Sequence, residues 1–105
     1  MFTVFGFYKF KKLKSLKKNR PTLQNIFIKH NIRGTVIISK EGLNGTISGK
    51  SNNISFVNKK IKKLFTIKSF DSENLSKSHF QPFHKPKVKI KNEVVPMGFN
   101  IFRKI

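Results

Sequence analysis

The first ten residues, MFTVFGFYKF, set aromatic and β-branched side chains close together, with Gly6 among them. Such a run predicts a first strand over Phe2–Phe10, apolar enough to be buried on both faces. Lys11 to Asn19 then reads as a lysine-rich connection. Beyond it Pro21 suits the first turn of a helix, and Leu23, Ile26, Phe27 and His30 recur at helical spacing as far as Asn31. That stripe requires a sheet to face. GTVIISK, Gly34 to Lys40, is β-branched and predicts a second strand; LNGTISG, Leu43 to Gly49, predicts a third, joined to the second by a tight turn at Glu41-Gly42. Ser51 to Asn53 offers an N-cap cluster ahead of Ile54, Val57, Ile61 and Leu64, which share one face of a second helix. Ile67 to Ser72 reads as a fourth strand, and the polar stretch Glu73 to Ser78 as a loop. In Pro86 to Val95, Val88 and Ile90 alternate with Lys87, Lys89 and Lys91, as in a strand with one solvated face.

The resulting order is β-α-β-β-α-β, an α+β chain of the ferredoxin-like kind, with two helices on one face of an antiparallel sheet. At 105 residues, 37% of them hydrophobic, it has material for one modest core and not for two. No run of about 18 apolar residues exists to cross a membrane as a helix, and the alternating N-terminus is unlike a signal peptide.

Charge changes the picture. Lysine and arginine number 23 against 4 acidic residues, a net +19, and all but Arg20, Arg33 and Arg103 are lysines. Codons rich in adenine and thymine would raise Lys, Asn, Ile and Phe, but they would raise Glu as well, and only Glu41, Glu73 and Glu93 occur. The excess therefore points to a polyanionic partner. The absence of cysteine excludes a disulfide framework, a thiolate nucleophile and a cysteine metal site. His30, His79 and His84 lack the spacing of a ligand cluster, so neither metal nor cofactor is expected, and the composition fits a cytoplasmic protein.

Two stretches carry candidate chemistry. In SKEGLNGTISG, Ser39 to Gly49, three readings stand side by side. Gly42 and Gly45 serve a hairpin that needs positive φ; or the Asn44 amide and Thr46 hydroxyl contact an RNA phosphate or base; or Glu41 is catalytic. The last has no paired acid, histidine or metal beside it. On the second stretch, Lys87, Lys89 and Lys91 place three ammonium groups on one strand face at roughly 7 Å intervals, comparable with phosphate spacing along a nucleic acid. Phe80, Phe83 and His84, just ahead, are either loop anchors or stacking surfaces for unpaired bases. No phosphate-binding loop, dinucleotide fingerprint or catalytic triad signature is present.

FYKF at Phe7–Phe10, GTVIISKEGLNGTISG at Gly34–Gly49 and PFHKPKVKIKNEVVPMG at Pro82–Gly98 resemble, in order and spacing, the N-terminal part of the bacterial tRNA uridine hydroxylase family, which is rhodanese-related. The resemblance implies an acylphosphatase-like, ferredoxin-fold domain over residues 1–98, a role in oxygen-dependent hydroxylation of a wobble uridine, and tRNA as partner. It also implies that the reactive cysteine belongs to a rhodanese domain, absent from this chain. FNIFRKI, residues 99–105, departs from the family's continuation, as a truncated product would. No catalytic residue is carried over. Acylphosphatase chemistry needs a phosphate-cradling loop with an arginine after the first strand and a placed asparagine. KKLKSLKKNR has no glycine-rich loop, and Arg20 lies far along it.

The sequence thus supports a tRNA-binding module, inactive alone, with Lys40, Asn44, Thr46, Lys87, Lys89 and Lys91 as RNA contacts. A small acyl-phosphate hydrolase is the alternative, and a module docking on a separate rhodanese partner the third reading.

Overall fold

The computed structural model describes residues 1–92. Its elements are β1 (Phe2–Phe10), α1 (Leu16–Lys29), β2 (Arg33–Ser39), β3 (Gly42–Gly49), α2 (Ser51–Leu64), β4 (Ser72–Ser78) and β5 (Pro86–Ile90). The strands form one sheet in the order β4-β1-β3-β2-β5. The α+β ferredoxin-like arrangement is therefore present. Four strands pair antiparallel, but β5 runs parallel to β2, so the sheet is mixed rather than wholly antiparallel.

Alternation along each strand sends one set of side chains to the helices. Phe5 and Phe7 of β1, Val36 and Ile38 of β2, Leu43 and Ile47 of β3 and Val88 of β5 meet Leu23 and Phe27 of α1 and Ile54, Val57 and Ile61 of α2 in one buried core. Val4, Gly6 and Tyr8 point the other way and are only half-buried. The expectation of a first strand buried on both faces is corrected here: both helices lie on the same side, and on the other side, among the described residues, no helix covers the sheet and Gln81 of the β4–β5 connection reaches only Ser48.

Three boundaries differ from the sequence pattern. Helix α1 begins at Leu16, not near Pro21, which lies inside it. Leu13 is buried and Leu16 packs on the core, so apolar contacts recruit a turn that the lysines disguised. The fourth strand is Ser72–Ser78, not Ile67–Ser72. Ile67 and Phe70 plug the core, and the polar segment expected to be a loop pairs with β1 from Phe2↔Ser78 to Tyr8↔Ser72. An edge strand needs a hydrogen-bonding neighbour more than it needs apolar side chains. The N-cap of α2 is Lys50, so Ser51 to Asn53 are its first turn instead of its cap. The last strand ends at Ile90, short of the expected Val95, with Lys91 and Asn92 already outside it; residues 93–95, the boundary at Gly98 and the tail 99–105 lie outside the described residues.

Both helices end alike. Asn31 and Thr66 take left-handed φ of 54° and 56°, and the next residues, Ile32 and Ile67, return their N–H groups to Phe27 and Lys62 carbonyls at 2.9 and 2.7 Å. These are Schellman closures whose apolar residue is buried against the core. Helix α1 also holds the β5 edge. The Gln24 amide donates to the Pro86 carbonyl at 2.8 Å and accepts from Val88 N–H at 3.0 Å, imitating a further strand, while Arg20 Nε donates to the Val88 carbonyl at 2.8 Å.

Candidate nucleic-acid interface

The face without helices is laid out by strand register. One row reads Asn74, Gly6, Thr46, Thr35, Lys87 across the five strands; the next reads Ser72, Tyr8, Asn44, Ile37, Lys89. Hydroxyls, amides and one tyrosine therefore occupy the middle, with lysines along the β5 margin. Lys87 and Lys89 are exposed, and Val88 between them is buried at 2% exposure, as a strand with one solvated face requires.

Of the six predicted contacts, Asn44, Thr46, Lys87 and Lys89 come together on this face. Thr46 is half-buried, but Asn44 is only 2% exposed, lying between Tyr8 and Ile37. Lys91 follows β5, exposed, its N–H donating to the Ile38 carbonyl at 2.9 Å. Lys40 sits apart, on the two-residue turn Lys40–Glu41 between β2 and β3, because Ser39 already pairs with Gly42. Phe80 is 68% exposed in the β4–β5 connection, where the neighbouring Gln81 meets the Ser48 hydroxyl.

Lys40 borders a second basic feature. Lys11, Lys12, Lys14, Lys17, Lys18 and Lys40 surround a hollow of about 1140 Å³ whose apolar lining is Leu13, Leu16 and Ile90. The first turn of α1 opens onto it with no acidic residue and no side-chain cap. The positive end of the helix dipole and the lysines reinforce one another there, so an anion at this end lowers the repulsion. Glu41 also lines the hollow; its N–H is bonded to Ser39 Oγ at 3.0 Å, and its carbonyl accepts from Lys11 N–H at 2.9 Å. These bonds make it a turn residue. Arg20, bonded to Val88, faces β5 rather than a phosphate cradle.

A carboxylate fixes the far end of β1. Asp71 accepts from Phe10 N–H at 2.7 Å and from Lys9 Nζ at 3.2 Å. The Phe10 hydrogen bond, aided by the Lys9 ammonium against a small cost of burial, holds its carboxyl below the ordinary value.

Gly6, Tyr8, Ser72 and Asn74 lie on the same face but were not singled out by the sequence pattern. Alternation around Phe5 and Phe7 was the available signal for the first two. Ser72 and Asn74 were hidden by reading β4 partly as a loop. Among the described residues no helix is long and apolar enough to cross a membrane, and no three His, Asp or Glu side chains gather as a metal site.

Residues 2–94 match the family described as the UPF0176 acylphosphatase like domain. The tRNA uridine(34) hydroxylase of Pelagibacter ubique (strain HTCC1062) is 66% identical over 104 residues, 99% of this chain and 35% of that protein. The tRNA uridine(34) hydroxylase of Ehrlichia ruminantium (strain Welgevonden) is 35% identical over 107 residues, 96% of this chain and 37% of that protein. The chain spans about a third of the length of these relatives. Among solved structures, the acylphosphatase from Bacillus subtilis superposes with a TM-score of 0.57 at 12% identity, over 87% of this chain and 100% of that one. An acylphosphatase from Coxiella burnetii gives 0.60 at 10% identity, over 84% and 93%. At these identities the likeness is one of fold.

Proposed function

The chain belongs to the UPF0176 acylphosphatase like domain family, and from that premise we propose that it is the tRNA-binding N-terminal module of a tRNA uridine hydroxylase, working in the cytoplasm, with the oxidative chemistry carried outside it. The observation that carries this reading is the open sheet face, where Thr46, Lys87 and Lys89 share one surface of a chain of net charge +19. Lysines on the β5 margin neutralise phosphates, and the Thr46 hydroxyl gives a directional bond. Asn44 lies buried in the adjoining row, between Tyr8 and Ile37. Lys40 and the lysine hollow at the start of α1 take a further stretch of backbone phosphate, while Lys91 continues the β5 margin.

Related proteins named tRNA uridine(34) hydroxylase support the tRNA half of the proposal. The missing thiol supports the other half, for the chain contains no cysteine. A rhodanese domain, in the same polypeptide or in a partner, would supply it. Arg20 speaks against an acyl-phosphate hydrolase, since its guanidinium is engaged with the Val88 carbonyl.

The test is tRNA binding measured over a range of salt concentrations. Replacing Lys87, Lys89 and Lys91 together with Gln is expected to weaken binding and to lower the slope of log K against log salt by up to about three counterions. An unchanged slope would remove these lysines from the interface.

A further inference from the structure

Gly6 stands at the centre of the open face for no reason of its own backbone. It does not take a positive φ, and a Cβ built on it would meet nothing closer than the Asn74 side-chain oxygen at 3.2 Å. A glycine inside a strand weakens the strand, and it often marks a place where another molecule approaches closely. Here the missing side chain leaves a recess of about 140 Å³ bordered by Tyr8, Thr46, Ser72 and Asn74. This is well below the roughly 300 Å³ at which drug-sized sites begin and several times the share of one water, so it has room for a single ring.

We propose that the recess over Gly6 seats one unpaired RNA base, stacked on the Tyr8 ring, with its edge met by the Asn74 amide and the Thr46 hydroxyl. The inference rests on the RNA-binding reading above and deepens it, naming single-stranded RNA as the ligand of this face. Tyr8 lines the recess, and Phe10 meets its ring edge-on at 5.6 Å between centroids, buttressing it. The amide of Asn74 and the hydroxyl of Thr46 each donate and accept, which suits the edge of a base that has lost its pairing partner. Lys87 ends the same row three strands away, about 14 Å from Gly6, where it holds backbone phosphate while the base is seated. A paired base in an A-form duplex cannot enter, because its face is stacked and its edge already bonded.

Tyr8 is the only tyrosine and the chain has no tryptophan, so the chain's tyrosine emission comes from a residue that lines this recess. A short unstructured oligoribonucleotide is expected to quench Tyr8, and a fully paired hairpin of the same composition to leave it unchanged. Gly6→Val fills the recess with a residue suited to a strand. It is expected to reduce affinity for the unstructured strand roughly five- to hundred-fold while hairpin affinity changes little. Asn74→Ala, on an exposed edge strand, is expected to reduce it less and decides the matter if the valine variant fails to fold. Binding of the unstructured strand with Tyr8 emission unaltered overturns the base seat and leaves the RNA-binding reading standing. So does wild-type affinity in a folded Gly6→Val chain or, where that variant does not fold, in the Asn74→Ala chain. Failure of the unaltered chain to bind either RNA overturns both.

Discussion

Gly42 carries the hairpin between β2 and β3 on its own backbone. Its φ of 149° lies outside the range that L side chains favour, and a Cβ there would sit 2.0 Å from the Lys9 carbonyl oxygen of the adjacent strand. Gly42→Ala is expected to cost roughly 2 kcal/mol or more in urea unfolding, whereas Glu41→Gln, on an exposed turn, leaves stability nearly unchanged. Gly45 plays a different part, keeping ordinary strand backbone while a Cβ on it would sit 2.8 Å from the Thr35 carbonyl oxygen, 2.8 Å from Val36 and 3.1 Å from Phe7. The glycine pattern was legible at this scale, but only the register distinguished the glycine that needs its φ from the one that needs its size. Asp71 makes stability depend on acid. Its carboxyl titrates lower in the folded chain than in the unfolded one, so its contribution is present above the ordinary value of 3.8 and fades as pH falls through the depressed folded value. Asp71→Asn is expected to remove that part of the acid dependence, measured as the midpoint of thermal unfolding between neutral pH and pH about 3.

At the level of elements, β5 depends on α1 as much as on β2. The Gln24 amide satisfies both a donor and an acceptor on the outer edge of β5, positions that in a wider sheet would meet another strand. Gln24→Ala is expected to cost about 1–3 kcal/mol, to speed hydrogen exchange at Val88 N–H, and to weaken RNA binding although Gln24 is on the helix side. The last effect follows because Lys87 and Lys89 keep their positions only while β5 keeps its edge. Strands β1, β2 and β3 and helix α2 were readable from periodicity, since each buries a regular apolar set. Strand β4 was not, for its seven residues are exposed or half-buried and its existence rests on backbone bonds to β1. Helix α1 was readable in its second half, where Leu23 and Phe27 are buried, and obscured in its first by lysines around Leu16.

For the whole molecule, the proposed separation of binding from chemistry makes a definite prediction. Incubated with tRNA and oxygen, this chain is expected to yield no hydroxyuridine in nucleosides analysed by mass spectrometry. Adding a rhodanese domain of the family, fused after Gly98 or as a separate protein, is expected to restore it. Hydroxyuridine formed by the 105-residue chain alone would place the chemistry within it.

The sequence by itself determined the net positive charge, the absence of a thiol and the order of most elements, because these follow from composition and from apolar spacing along a local stretch. It also placed Lys87 and Lys89 on solvated positions of the last strand and Thr46 within the third, since alternation and β-branched runs are properties of each strand alone. Only the tertiary structure decided that those positions share a face. That follows from strand order: β3 inserts beside β1 and β5 beside β2, pairings between segments far apart in the chain that no local pattern specifies. The same order seats Gly6 between Asn74 and Thr46, and so makes a recess from a glycine that reads in the sequence as an interruption of an aromatic strand.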